Sequence, residues 1–414
     1  MNRYENYFET GFEWIGKIPS SWELSRVGKF FTERSEKVDD VTYPPLSVTM
    51  NGIVDQLSDV AKSNDKDNRK LVKKDDFVIN SRSDRKGSSG IAPRDGSVSL
   101  INIVLTPQKI DPKYIENLFK SYYFKEEYFR NGKGIHWDLW TTRWEQFKNI
   151  NIPIPPVEEQ KLISRYLDKK TSQIDSLVEK IQKKIELLKE QRTSLINHYV
   201  TKGLDPNVEM KDSGIEWIDE IPKHYSLQKI KYLFSEKKSK SNLELNSGSI
   251  SFGQVVYKDD ESILESTKES YQEVLEGEFL INPLNLNYDL KSLRIAKSKI
   301  NVVVSQGYIV LQILEGQDPD YFEYLLRKFD VVHMKSLGQG VRQTISFNNL
   351  KNEELVIPPI EEQKEIVCEL NLRTNQIDRL CCVEEQRISL LKEYRQSLIS
   401  SVVTGKVRVV EDTI

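Results

Sequence analysis

The sequence predicts a mixed α/β (α+β) fold built twice: two tandem globular domains separated by two long α-helices that pair as an antiparallel coiled coil, with a pseudo-two-fold internal repeat. Three observations predict it. Segments recur at a fixed displacement of 203 residues, heptad-spaced apolar stripes follow two Pro-Pro stops, and short β-branched runs bounded by turn residues fill the stretches between.

The repeat opens with Gly11-Phe-Glu-Trp-Ile-Gly-Lys-Ile-Pro19, which matches Gly214-Ile-Glu-Trp-Ile-Asp-Glu-Ile-Pro222. Ile154-Pro-Pro-Val-Glu-Glu-Gln-Lys161 later matches Ile357-Pro-Pro-Ile-Glu-Glu-Gln-Lys364, and Lys189, Glu190, Arg192 and Leu195 recur as Lys392, Glu393, Arg395 and Leu398. One displacement held across such distant blocks is a tandem duplication. Between the blocks, 35–130 and 238–336 share no alignable run apart from later glycine pairs. Two like frames therefore hold two unlike inserts.

The first domain, 1–155, carries strand-like runs at 76–80 and 98–105 and a helical run from about Pro112 to Phe129. The first long helix, 156–204, starts at about Glu158 after Pro155-Pro156 and ends at about Lys202, before Gly203 and Pro206. Its seam is Leu167, Ile174, Val178, Ile181, Ile185, Leu188 and Leu195, an a/d pattern sustained over about four heptads. The second domain, 205–358, repeats the plan with strand-like runs at 278–282, 302–304 and 308–313 and a helical run at 319–329. The second long helix, 359–404, runs from about Glu361 to Val403 with the seam Leu370, Ile377, Cys381, Ile388, Leu391, Leu398 and Val402, and Glu384 stands where the first helix has Ile181. Residues 405–414 form a C-terminal tail. A helix leaving the first domain and a second running back place the pair antiparallel, as a stiff strut with one domain at each end.

Composition narrows the function. Hydrophobic residues at 38% and charged residues at 30% suit folded domains, and no run of 18 apolar residues or secretory leader is visible, so a cytoplasmic protein is expected. Cys368, Cys381 and Cys382 read as reduced thiols, the last two as small packing residues, and four scattered histidines give no metal site. Net charge is −3, so any nucleic-acid surface is local; residues 60–94 hold ten basic against five acidic side chains.

The paired G-x-E-W-I blocks, the two Pro-Pro-x-Glu-Glu-Gln blocks and the long helices after them resemble the specificity subunits of Type I restriction-modification systems over essentially the whole chain. The resemblance implies that each domain is a target recognition domain reading half of a bipartite, asymmetric duplex DNA site, with the helices setting a non-specific spacer. It implies docking to methyltransferase (M) subunits and to restriction and translocase (R) subunits that act in phage defence. S-adenosylmethionine, ATP and Mg would then be bound by those partners, with no cofactor and no catalytic residue on this chain. In keeping with that, the G-x-x-x-x-G-K-[S/T] phosphate loop is missing, and Tyr43-Pro-Pro-Leu46 and Asn282-Pro-Leu284 are poor imitations of an adenine methyltransferase motif.

Base edges are read by Arg, Lys, Asn, Gln, Ser and His on loops. In the first domain these are Arg69, Lys70, Arg82, Arg85, Lys86, Ser88, Ser89, His136, Trp137 and Arg143. In the second they are Gln254, Asn282, Asn285, Asn287, Tyr288, Arg294, Gln339, Arg342 and Gln343, and Arg82, Arg85 and Arg342 lead the set. For each of them turn chemistry or surface solvation is the bland alternative. A protein-binding assembly scaffold without DNA contact is the competing function; steep loss of duplex binding with salt separates the two.

Overall fold

The heptad stripes become two uninterrupted helices, Val157–Lys202 and Ile360–Val403, each starting within a residue of the Pro-Pro stop that announces it. The first, 46 residues long, extends about 69 Å at 1.5 Å per residue. The computed structural model describes residues 3–56, 68–134, 140–238, 240–259, 263–284, 293–338 and 344–411. No described helix is long and apolar enough to cross a membrane. Two compact units result: 1–182 with 385–414, and 183–384. Each helix is thus shared between units, and each unit contains its own stretch of helix–helix seam.

In the first unit the seam joins Leu167, Ile174 and Val178 to Leu391, Leu398 and Val402 in one core. Direction follows from two contacts: Asp175 pairs with Arg395 at 2.9 Å, while the Tyr114 hydroxyl donates both to the Pro153 carbonyl, just before the first helix, and to the Val403 carbonyl, at the end of the second. The helices therefore run antiparallel. The second unit repeats this. Arg192 pairs with Asp378 at 2.9 Å, and Tyr321 donates to the Val356 and Val200 carbonyls. The Asp175–Arg395 and Asp378–Arg192 pairs are one contact displaced by the repeat length. Every seam residue read from the heptads is buried or half-buried. Cys381 is buried but Cys382 is exposed, a correction to the reading of both as packing residues: neighbours on a helix point about 100° apart, so only one can face the seam.

The inserts, unalignable in sequence, have the same topology. In the first unit a four-stranded antiparallel sheet orders Ser89–Ile91, Phe77–Asn80, Asn102–Pro107 and Phe31–Glu33; in the second the order is Ile295–Lys297, Phe279–Ile281, Ile309–Ile313 and Phe234–Glu236. The run read as one strand at 98–105 is two, Gly96–Val98 and Asn102–Pro107. The helical run at 112–129 is likewise broken at Ser121, whose extended backbone and hydroxyl cap a second helix, Tyr122–Arg130. In the second unit Pro319–Val332 runs through unbroken. Behind each sheet lies one aromatic-rich core, with Phe31, Phe77, Phe119, Phe124 and Phe147 in the first and Phe234, Phe279, Phe322 and Phe329 in the second.

The tail is part of the first unit. Val407 and Val409 pack on its core.

Candidate nucleic-acid interface

The recurring blocks of the repeat turn out to be clamps. Glu159 accepts from the Trp22 indole at 3.0 Å and from the Tyr4 hydroxyl; its counterpart Glu362 accepts from the Tyr225 hydroxyl at 2.5 Å and meets His224 at 2.8 Å. Burial first, then the neighbouring carboxylate, pushes the Tyr4 and Tyr225 hydroxyls well above their ordinary range, so both stay protonated as donors. Gln160 accepts the Asp111 amide and donates to the Pro155 carbonyl, both at 2.8 Å. Gln363 does the same with Asp318 and Pro358 at 3.0 Å. The Pro-Pro-x-Glu-Glu-Gln block thereby fastens each long helix to the helix behind each sheet, and a site has to be sought in the inserts.

In the first unit, strand Phe77–Asn80 delivers the chain to such a place. The Asn80 side chain accepts the Arg82 amide at 3.0 Å and the Ser81 hydroxyl donates to the Ile101 carbonyl, so the strand end is pinned. A short 3-10 turn, Ser83–Arg85, follows and leaves Arg82 and Arg85 exposed. Both line an open hollow of about 570 Å³, walled by Met50, Arg69, Lys86 and Ser88. Arg82 also borders a neighbouring hollow of about 460 Å³ with Lys70 and Arg143. One wall is the hairpin Leu46–Thr49 and Gly52–Asp55, which lies against strand Ser89–Ile91 so closely that a Cβ on Gly90 would stand 3.0 Å from the Gly52 Cα. Only glycine permits that approach.

The nominated residues divide by role. Arg82 and Arg143 are exposed and have no acidic partner among the described residues, and Arg85 is two-thirds exposed with only a long 3.6 Å contact to Asp84. Lys86 is committed to Glu126 at 2.7 Å and lies over the Phe129 ring. Lys70 pairs with Glu33 and donates to the Asn102 carbonyl. Arg69 is buried, its guanidinium bonded to the Ser97 hydroxyl and carbonyl, and that burial lowers its pKa. Ser88 and Ser89 are buried as well. The geometry thus brings Arg82 and Arg85 to one hollow and Arg82 and Arg143 to its neighbour, among polar groups already bonded to one another.

In the second unit Gln254 is exposed on the hairpin Gly248–Ser251 and Gln254–Tyr257, the counterpart of the hairpin above. Asn282 turns back on its own chain, its side chain accepting the Leu284 amide at 3.2 Å and its amide donating to the Arg294 carbonyl. Arg294 is held by Asp330, fully buried on helix Pro319–Val332, which accepts the Arg294 and Ile295 amides. His136, Trp137, Asn285, Asn287, Tyr288, Gln339, Arg342 and Gln343 lie outside the described residues.

Three residues of this region escaped the sequence reading. One is Asp330, a helix carboxylate that is fully buried. Met50 and Phe252, at the two hairpin tips, are 68% and 97% exposed. The available signal was a bulky apolar residue at a two-residue turn between alternating strands.

Comparison with known proteins gives this arrangement its context. The model of the Type I restriction modification DNA specificity domain matches residues 19–187 and 235–379, one match per repeat. The specificity subunit of the type I restriction enzyme MjaVIII of Methanocaldococcus jannaschii is 26% identical over 95% of this chain and 94% of its own. That of EcoKI from Escherichia coli K12 is 23% identical over 85% of this chain and 82% of its own. Among solved structures, a chain from work on complex assembly and conformational transition of the type I R-M system superposes with a TM-score of 0.68 at 14% identity, covering 94% of this chain and 99% of that one. The HsdS subunit from Thermoanaerobacter tengcongensis gives 0.53 at 16% identity, covering 96% of this chain and all of its own. With two matched specificity domains, a duplicated fold shared with those structures and full-length relatives of one kind, the chain belongs to the specificity subunits of Type I restriction-modification systems, the non-catalytic subunits concerned with DNA sequence recognition.

Proposed function

We propose that each unit reads one half of a bipartite, asymmetric duplex DNA site, and that the helix pair fixes the length of the unread spacer. One observation carries the reading: two inserts with the same strand order place different polar residues where the chain leaves the sheet, the exposed Arg82, Arg85 and Arg143 in one and the exposed Gln254 with the half-buried Asn282 and Arg294 in the other. A shared scaffold with different polar rims suits two readers of different base sequences, since base-edge hydrogen bonds carry sequence and phosphate contacts carry position. Spacing set by a protein frame is the geometry that two-fold DNA binders use with half-sites a helical turn apart.

The same reading has the chain dock methyltransferase and restriction subunits, with S-adenosylmethionine, ATP and Mg bound by those partners. The relatives' common description as specificity subunits of restriction enzymes supports this. Methylome sequencing of cells with and without this chain tests it. The expected result is one split motif of two unlike halves, methylated only when the chain is present; a continuous motif, or none, would overturn the proposal.

A further inference from the structure

The two hairpin tips share a feature that no polar readout explains. Met50 and Phe252 occupy the first position of the two-residue turn in structurally equivalent hairpins, whose registers close on Thr49 with Gly52 and on Ser251 with Gln254. Both project a large apolar side chain into solvent although the surrounding inserts have no sequence in common.

Phe252 does so against its backbone preference. Its φ is +48°, and Gly253 follows at +72°, a turn with both central residues in the left-handed region. That geometry matches hairpin twist but selects Asn or Gly first; a bulky aromatic residue there is an outlier. The other described non-glycine residues with positive φ are Asp75, Lys109 and Asp219, all polar. Outliers of this kind persist where the surrounding structure holds them, and they cluster at functional sites. The tip is also braced from behind, because a Cβ on Gly253 would fall 2.5 Å from Leu293, which immediately precedes Arg294. Phe252 therefore stands on a turn backed by Leu293, two residues before Gln254, while Arg294 follows Leu293 in the chain; both were nominated for DNA contact.

The first unit indicates what the tip faces. Met50 lines the same hollow as Arg69, Arg82, Arg85 and Lys86. An apolar side chain at the edge of a cluster of cations fits a polyanion with apolar layers inside it, which is duplex DNA, better than it fits an apolar protein surface. Apolar wedges inserted at a base step unstack it and kink the duplex, which gives selectivity through the deformability of that step.

We infer that Phe252, with Met50 as its weaker counterpart, is a wedge that enters the base stack of its half-site and contributes specificity by deforming it. The inference rests on the DNA-reading function proposed above. Its test uses the chain assembled with its methyltransferase and a duplex carrying the motif found by methylome sequencing. 2-Aminopurine is placed at successive steps of each half-site, never at the methylated adenine. Parent complex should raise the emission several-fold at one step per half-site. Phe252→Ala should abolish the rise in one half only and weaken cognate binding about tenfold while leaving non-specific binding unchanged, and Phe252→Trp should restore both. Parent-like emission and affinity for Phe252→Ala overturn the wedge. So does weaker assembly with the methyltransferase at unchanged emission, which would mark the tip as a protein contact. Absence of cognate binding by the parent complex defeats the DNA-reading proposal itself, a separate outcome.

Discussion

Arg82 and Arg69 border the same hollow under opposite constraints. Arg69 spends its guanidinium on Ser97, whereas Arg82 is held only through its backbone and keeps its side chain exposed. Truncating Arg82 to alanine should cost about 1–3 kcal/mol of cognate affinity, the worth of a good base contact, with the melting temperature unchanged. Anisotropy titrations at fixed salt check this, and parent-like affinity removes Arg82 from the site. The sequence marked the stretch as basic but could not tell these two roles apart, because burial of an arginine depends on a partner 28 residues away. Lys328 supplies a pH test. Burial, then the Lys202 charge, lowers its ammonium group from 10.5 to about 8, and it lies over Trp217 near the Thr201 hydroxyl. The folded chain therefore loses this proton before the unfolded chain does. Its cost to stability is fully present below pH 8 and is relieved as pH rises toward 10.5. Lys328→Met should melt higher than the parent at pH 7, with the gap narrowing by pH 9.5; a gap that stays constant contradicts the buried-charge account.

At the scale of elements, the long helices were legible because a heptad stripe and a Pro-Pro stop are local signals, whereas the clamps at their starts were not. Gln160 is 1% exposed, and its partners Asp111 and Pro155 cannot be inferred from the motif. Gln160→Ala leaves the buried Pro155 carbonyl unpaired, at about 1–3 kcal/mol, and takes a partner from the half-buried Asp111 amide, so thermal unfolding should show a drop of at least that first size. Loss confined to noise would mean the block serves another purpose. Glu384 behaves in the opposite way. It is a nearly buried carboxylate in an apolar seam, paired with Lys184 at 2.6 Å, at the place where the other helix has Ile181. Replacing a buried ion by an aliphatic residue of the seam is commonly neutral or stabilising. Glu384→Ile should therefore leave the melting temperature equal or higher, and a fall of several degrees would make the ion pair a net stabiliser. The insert strands were only half legible: short apolar, β-branched runs between turn residues located Phe77–Asn80 and Val302–Val304, but the turn at 99–101 and the cap at Ser121 divided runs that read as continuous.

For the molecule as a whole, duplication was readable from the frame and hidden in the inserts. The sheets agree strand for strand because their central strands, buried on both faces, require apolar residues but not particular ones, so sequence can drift while topology holds. Differences then accumulate where the chain leaves the sheet, which is where the polar rims and the tips at Met50 and Phe252 lie. The central claim is that the two inserts read independently. It is tested most directly by replacing residues 35–130 with the matching segment of a relative of different specificity and sequencing the methylome. One half of the motif should change while the other half and the spacer length stay as they were; alteration of both halves, or of neither, would contradict the account.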